Sequence, residues 1–403
     1  MSQRWTDARG LIVALALTTL AQTLVSMAIF APAVLAPAAQ AEIGVAASAV
    51  GIFISIVFVT AAFSAPLGGG QVVRYGPVRV SQYSLLWAAG GIALFATAVP
   101  FVIVCGALAM GLGYGPVTPA SSAMLSSRTP GRLRNLIMSI RQSGVTLGGA
   151  IAGALLPGLS IAYGWRTSAF VVAALCAVFA VLLQTVRERY DGDRTDVRRP
   201  EHGSHWKLFR TVLRHAELRQ IALSSFTYSG AQMCFGSFLV VFLTERAGIR
   251  FVEAGAAYSA AMIGGIVGRL LWGALADYFN CARLLLGVLG VTMALCAFTI
   301  TQVSPQWPYA AVVVLCVIFG ASAFGWNGLY VAEIARIAPG GSVALATGAT
   351  ITFTFLGTVA TPVVFWLVLA LTDSYALAFT LVGTVALAGG LLYFREHDAQ
   401  PAA

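Results

Sequence analysis

The sequence predicts an all-α integral membrane protein, with twelve transmembrane helices in two pseudo-symmetric six-helix bundles. Three observations carry this. First, the 403 residues are 59% hydrophobic and only 10% charged, whereas a soluble domain carries about 25% charged residues. Second, the apolar residues gather in twelve continuous runs, each close to the ~20 residues a helix needs to cross a bilayer. Third, the basic residues are sorted by loop, as membrane topology demands. Backbone groups in lipid must be satisfied within the protein, so the spans are helices. A barrel would show short alternating segments rather than continuous runs.

The first six runs fall at residues 11–38, 46–67, 79–98, 100–125, 135–160 and 165–185. The second six fall at 217–243, 252–274, 282–301, 307–334, 345–370 and 375–394. The first run is followed by Ala39-Gln40-Ala41, which looks like a signal-peptide cleavage site. The run is far longer than the 7–15 residues of a signal h-region, so it is read as the first helix. Turn residues separate the runs at Gly76-Pro77, Thr129-Pro130-Gly131, Ser304-Pro305 and Pro339-Gly340-Gly341.

Between the sixth and seventh runs lies a long polar stretch, Arg187 to Arg219. It holds nine basic and six acidic residues together with His202, His205 and His215. It reads as a solvated linker rather than a metal site, with Trp206–His215 as a candidate surface helix. The expected organisation is therefore an N-terminal bundle at 1–186, a cytoplasmic linker at 187–216, and a C-terminal bundle with a short tail at 217–403. The six cysteines lie in or beside apolar runs without CxxC spacing and are read as packing residues.

With the N-terminus inside, twenty basic residues face the inner side and three (Arg166, Arg246, Arg250) the outer side. Both termini and the linker are thus expected in the cytoplasm, with the protein in the cell inner (plasma) membrane. The net charge of +9 is a topology signal and implies no nucleic-acid partner.

The two halves repeat. Gly69 and Arg79 stand ten residues apart after the second run, and Gly273 and Arg283 ten apart after the eighth. The fourth and tenth runs share a Gly-rich core that leads to an aromatic, Tyr114 and Trp326 respectively. Two six-helix halves related by an axis along the membrane normal is an architecture of secondary transporters.

On these residues the chain resembles the major facilitator superfamily over about residues 10–395. Gly273, Asp277 and Arg283 are similar to the family's Gly-x-x-x-Asp-(Arg/Lys)-x-Gly-(Arg/Lys)-(Arg/Lys) signature, with Tyr278 and Asn280 as departures. In the first half Gly69, Arg74, Gly76 and Arg79 match, but Val73 stands where the family has its Asp. The resemblance implies gating or conformational roles for Gly69, Arg74, Arg79, Gly273, Asp277 and Arg283, as a charge relay at the inner side. It also implies that the first, fourth, seventh and tenth helices line the central path. Proton-driven drug antiporters of the family carry an arginine near the start of the fourth helix, and Val104–Gly111 has none. The glycines of the fifth run, from Gly144 to Gly153, resemble the antiporter motif loosely, and close helix packing is enough to explain them.

Ionisable residues at membrane depth are costly and usually functional. Arg141 is the one that stands out, about two turns into the fifth run beside Gln142. A guanidinium fork binds carboxylates bidentately, so Arg141 is a candidate substrate anchor, with snorkelling or a structural role as the other reading. Gln22, Tyr114, Gln142, Gln232, Trp326, Asn327 and Tyr330 complete the candidate solute contacts. Glu333 is three residues from Arg336 on one helix face, which suits a local salt bridge, and is also a candidate gating residue.

The leading functional expectation is a secondary active transporter of a small organic solute, an anion such as a carboxylate, working by alternating access. Proton symport is one mode, because the substrate itself can carry the proton; exchange or export is equally compatible. The alternative is a drug or metabolite efflux transporter, disfavoured in its cation/proton form by the missing deep acid. A sensor would append a soluble domain, and an ATP-driven pump would need a Gly-x-x-x-x-Gly-Lys-(Ser/Thr) loop, which does not occur. No enzyme activity, cofactor or metal is expected. The expected partners are the solute, protons and the lipid bilayer, and the protein is expected to act as a monomer.

Overall fold

The computed structural model describes residues 2–126, 128–129, 134–191, 216–337 and 343–394. Among the described residues there is no strand, and the chain runs through twelve long helices. These are α1 (Ser2–Ile43), α2 (Val50–Tyr75), α3 (Pro77–Phe95), α4 (Pro100–Ser126), α5 (Arg134–Tyr163) and α6 (Trp165–Leu182). Then follow α7 (Ala216–Glu245), α8 (Phe251–Phe279), α9 (Ala282–Ile300), α10 (Tyr309–Gly325) with its continuation Asn327–Ile337, α11 (Val343–Thr372) and α12 (Tyr375–Leu391). Among the described residues, eleven helical spans are long and apolar enough to cross a membrane. The remaining helix, α3, is more polar in its first turns, and there the protein supplies the partners. Gln82 donates to the Ala180 carbonyl at 2.8 Å and to Gln184 at 3.2 Å, and Ser81 donates to the Pro77 carbonyl at 2.9 Å.

Each expected apolar run is a helix, but the repeated Gly-to-Arg motif is not a loop. Gly69 to Tyr75 form the last turns of α2, and Pro77 to Arg79 the first turn of α3. Only Gly76 separates them, at φ +90°. In the second copy Asn280 follows α8 at φ +51°. Gly76 and Asn280 each stand seven residues after the leading glycine of their copy. Asn tolerates left-handed backbone because its short side chain bonds locally. Asn280, a departure from the family signature, therefore makes the same sharp break as a glycine. The Asp277 side chain, Pro130-Gly131, Pro339-Gly340, His202, His205, His215 and the candidate helix Trp206–His215 lie outside the described residues.

The chain divides into two compact units, Met1–Glu201 with Gly236–Ile263, and His202–Phe235 with Gly264–Ala403. The division runs through the middles of α7 and α8. In the first unit α8 sits against α5: a Cβ on Gly153 would lie 2.6 Å from the Gly255 carbonyl and 2.7 Å from the Tyr258 ring.

Each unit is closed by the same device, a small residue that lets a helix lie against its neighbour's backbone. In the first unit, a Cβ on Gly148 of α5 would meet the Met27 amide of α1 at 2.7 Å, and one on Gly111 of α4 the Thr60 Cβ of α2 at 2.5 Å. In the second unit, a Cβ on Gly357 of α11 would meet Ser229 of α7 at 2.6 Å, and one on Gly268 of α8 the Ala321 carbonyl of α10 at 2.5 Å. Hydroxyls bridge the same seams. Ser64 donates to the Gly111 carbonyl at 2.9 Å and Ser229 to the Thr354 carbonyl at 2.8 Å.

The helical turn Arg187–Asp191, at the start of the polar stretch, packs into the first unit. The buried Tyr190 donates to the Gly10 carbonyl of α1 at 3.1 Å, and the Arg128 guanidinium lies 4.7 Å from its ring centroid. Asp191 accepts the Val78 amide at 2.8 Å and pairs with Arg187 at 3.4 Å. It caps α3, whose own N-cap residue, Gly76, has no side chain to do so. Removing an N-cap costs about 0.5–2 kcal/mol. Asp191→Ala is therefore expected to lower the thermal midpoint of the purified protein, and Asp191→Asn, which keeps the acceptor, to restore most of it. Equal midpoints for wild type and Asp191→Ala would refute the cap.

Candidate functional site

In the first unit α5 carries Arg141 and Gln142, α1 carries Gln22 and Ser26, and α4 carries Tyr114. The glycines set the distance: a Cβ on Gly144, one turn after Arg141, would lie 2.8 Å from the Thr19 carbonyl and 3.2 Å from the Gln22 Cβ. Arg141 is only 4% exposed, so it does not snorkel to the membrane surface. Its Nη1 donates to Gln22 Oε1 at 3.4 Å and its Nη2 to Gln142 Oε1. Its Nε has no hydrogen-bond partner, and none of the ion pairs among the described residues includes it. Gln22 is held in turn by its Nε2, which donates to Ser26 Oγ at 3.1 Å. Tyr114 is close enough to interact electrostatically with the guanidinium, and its ring packs edge-on to Phe58 at 5.4 Å. This is a buried cation held by neutral amides and keeping a free donor. Burying an uncompensated charge is expensive, and an incoming carboxylate removes that cost.

In the second unit Trp326 Nε1 donates to Gln232 Oε1 at 3.1 Å. The Trp326 ring sits edge-on to Tyr228 at 5.7 Å and to Tyr330 at 5.3 Å. Tyr228 donates its hydroxyl to the Leu286 carbonyl at 2.7 Å, so that group serves the scaffold. Of the four candidates on this unit, three come together: Gln232, Trp326 and Tyr330. Asn327, the next residue in sequence, is half-buried.

Two residues that sequence reasoning did not single out shape this cluster. The hydrogen-bonded ladder of α10 is interrupted at Trp326, between Gly325 and Asn327. At that point two side chains of α8 bond to the carbonyls of α10. Trp272 Nε1 donates to the Ala321 carbonyl at 2.9 Å, and Arg269 Nη2 to the Phe324 carbonyl at 3.2 Å. Side chains that enter the i→i−4 ladder are a recognised cause of helix breaks. The signal in the sequence is Arg269 itself, an arginine within the eighth apolar run.

The expected gating residues lie at helix ends. Glu333, 3% exposed, accepts from Arg336 Nε at 2.9 Å and Nη2 at 2.7 Å, which is the local salt bridge that their spacing implies. The Glu333 carboxylate holds the Arg336 guanidinium above its ordinary value, so Arg336 stays charged at any physiological pH. Arg283 pairs with Glu217 at 3.5 Å and donates to Gln220 at 3.1 Å, both on α7. In the first-half copy Arg74 lies 5.1 Å from the Tyr75 centroid, and Arg79 lies 5.6 Å from that of Tyr83 and donates to Gln82 at 3.3 Å.

Trp272→Phe keeps an aromatic ring and removes the indole N–H donor. The variant is expected to lose about 1 kcal/mol of stability and to slow amide hydrogen exchange around Gly325, as α10 closes its ladder. Unchanged exchange at the break would show that Trp272 does not hold it.

The sequence model of the Major Facilitator Superfamily matches residues 18–362. An uncharacterized MFS-type transporter, YuxJ, of Bacillus subtilis (strain 168) is 27% identical over 77% of this chain and 79% of its own. A probable galactarate/D-glucarate transporter, GudP, of the same organism is 21% identical, over 81% of this chain and 78% of its own. A gentisate transporter of Corynebacterium glutamicum is 27% identical, over 70% and 64%. Among solved structures, a POT family transporter in complex with 5-aminolevulinic acid superposes with a TM-score of 0.74 at 11% identity, over 94% of this chain and 95% of that one. The helices, their repeated contacts and the match over most of the sequence agree: the chain belongs to the major facilitator superfamily and is a multi-pass membrane transporter, not an enzyme.

Proposed function

We propose that the protein is a secondary active transporter of a small organic anion, a carboxylate, and that it works by alternating access. The observation that carries this is Arg141, a buried guanidinium whose bonded partners are neutral amides and whose Nε has no acceptor. A carboxylate would take the place of those amides and bind bidentately. Gln22, Gln142 and Tyr114 would orient it. Gln232, Trp326, Asn327 and Tyr330 would contact the solute during the cycle, with Trp326 and Tyr330 offering apolar faces. The names of two relatives support the class, since galactarate/D-glucarate and gentisate are carboxylates.

On this reading the halves rock about the anchored solute. Gly69, Arg74, Arg79, Gly273, Asp277, Arg283 and Glu333 serve the inner-side contacts that form and break. The distribution of arginines supports cytoplasmic termini in the inner membrane. Proton symport is one mode of coupling that this anchor allows, and exchange or export of anions is equally compatible with it.

The test is uptake of labelled carboxylates into proteoliposomes, with and without a proton gradient. Arg141→Lys keeps the charge but loses the fork. The loss of one charge-assisted hydrogen bond, about 1.5–3 kcal/mol, lowers apparent affinity by roughly 10- to 150-fold. Arg141→Ala is expected to abolish uptake at unchanged protein abundance. Undiminished uptake by Arg141→Ala would sink the anchor role. Absence of anion uptake, with raised drug tolerance on expression, would favour the efflux reading.

A further inference from the structure

At the end of the first unit that carries the α1–α2 and α3–α4 connections lies a groove of about 200 Å³. Its walls are the last turns of α1 (Pro32, Ala36), the first turns of α2 (Ile52, Ile56) and the start of α4 (Ile103, Val104). Among the sixteen residues that line it, Gln40 alone has a polar side chain, and its Oε1 already accepts the Ala47 amide at 3.3 Å. An ordered water needs 2–4 polar partners, and Gln40 is the one side chain of these walls that offers any. The occupant that suits the walls is hydrocarbon.

The position of the groove narrows the choice. On α4 the exposed apolar residues Phe101, Val104, Leu108 and Leu112 form one stripe, and on α2 Val59 and Phe63 continue the line of Ile52 and Ile56. The groove opens between these two stripes, and apolar stripes on membrane spans are lipid-facing surface. Its depth is marked as well. Two residues of the lining, Phe53 and Phe95, stack edge-on at 5.8 Å, and Phe95 stacks on Trp165 at 5.5 Å. Trp165 donates to Glu42 at 2.7 Å, and Glu42 pairs with Arg166 at 2.6 Å. The half-exposed Glu42–Arg166 pair marks the water-facing end of these helices, and the buried Trp165 links it to the rings below. The aromatic ladder thus runs from the interface into the groove, which places the groove just below headgroup level.

We infer that this groove is a lipid site, holding one acyl chain of a phospholipid from the leaflet at that end, the outer leaflet if the termini are cytoplasmic. The inference is independent of the solute and of Arg141. The occupant is fixed by continuity with the lipid-facing stripes and by the apolar lining.

The test uses the full chain in phospholipid vesicles that contain a trace of phospholipid with a diazirine in the upper part of one acyl chain, close to its ester. After irradiation, adducts are mapped by mass spectrometry. Adducts are expected to concentrate on residues 43–56 and 95–104, above the level on exposed apolar residues of α6 at the same end, such as Phe170 and Val171. Ile103→Trp fills the groove and is expected to lose the excess while labelling of α6 stays; Ile56→Trp does the same from the opposite wall and serves if the first variant fails to fold. Uniform labelling of the wild-type belt, or an excess that survives in a folded, filled variant, overturns the inference. So does cross-linking of α2 to α4 between two copies of the chain, which would make the groove a protein contact.

Discussion

Within lipid, each backbone amide and carbonyl must find its partner inside the protein. The rest of this structure follows from that constraint. It makes every span a helix, and it makes each departure from a helix accountable. The break at Trp326 stands where Trp272 and Arg269 bond to the carbonyls of Ala321 and Phe324. The N-terminus of α3, which begins at a glycine and a proline, is satisfied by Asp191 from 113 residues away. Serine and threonine hydroxyls, such as those of Ser64 and Ser229, bond to neighbouring carbonyls instead of facing lipid.

Helices that satisfy their own backbones are held together by contact, since lipid supplies no hydrophobic drive between them. Small residues therefore sit at the seams α1/α5, α2/α4, α7/α11 and α8/α10, in matched pairs across the two halves. The same seams position function. Gly144 and Gly148 bring α1 against α5, and that approach brings the amide of Gln22 within reach of Arg141. With α1 and α5 so close, the Arg141 guanidinium is left 4% exposed between the amides of Gln22 and Gln142.

Most of the fold was legible in the sequence, for a physical reason. Span length is set by the bilayer and appears as run length, so each of the twelve runs corresponds to a helix, though the first helix starts nine residues before its run and the second ends eight residues after its run. The repeat at Gly69/Arg79 and Gly273/Arg283 was visible as spacing, but whether it formed a loop or two helix ends was not. That depended on one left-handed residue in each copy, Gly76 and Asn280. At the site, Arg141 was conspicuous because a cation is rare at that depth. Arg269 and Trp272 passed unnoticed because their importance lies in carbonyls some fifty residues away.

Composition, run length and the placement of arginine by themselves determined the membrane class, the helix count and the repeat, because lipid imposes those patterns on any chain that crosses it. Which polar groups meet was decided only by the tertiary structure. Asp191, one acid among six in a charged stretch, became the cap of a distant helix. Arg141 gained two amides and no carboxylate, and Tyr228 gave its hydroxyl to the scaffold. Such pairings depend on helix rotation and on separations of a few ångströms, which small residues at the seams set in three dimensions and which no spacing along the chain records.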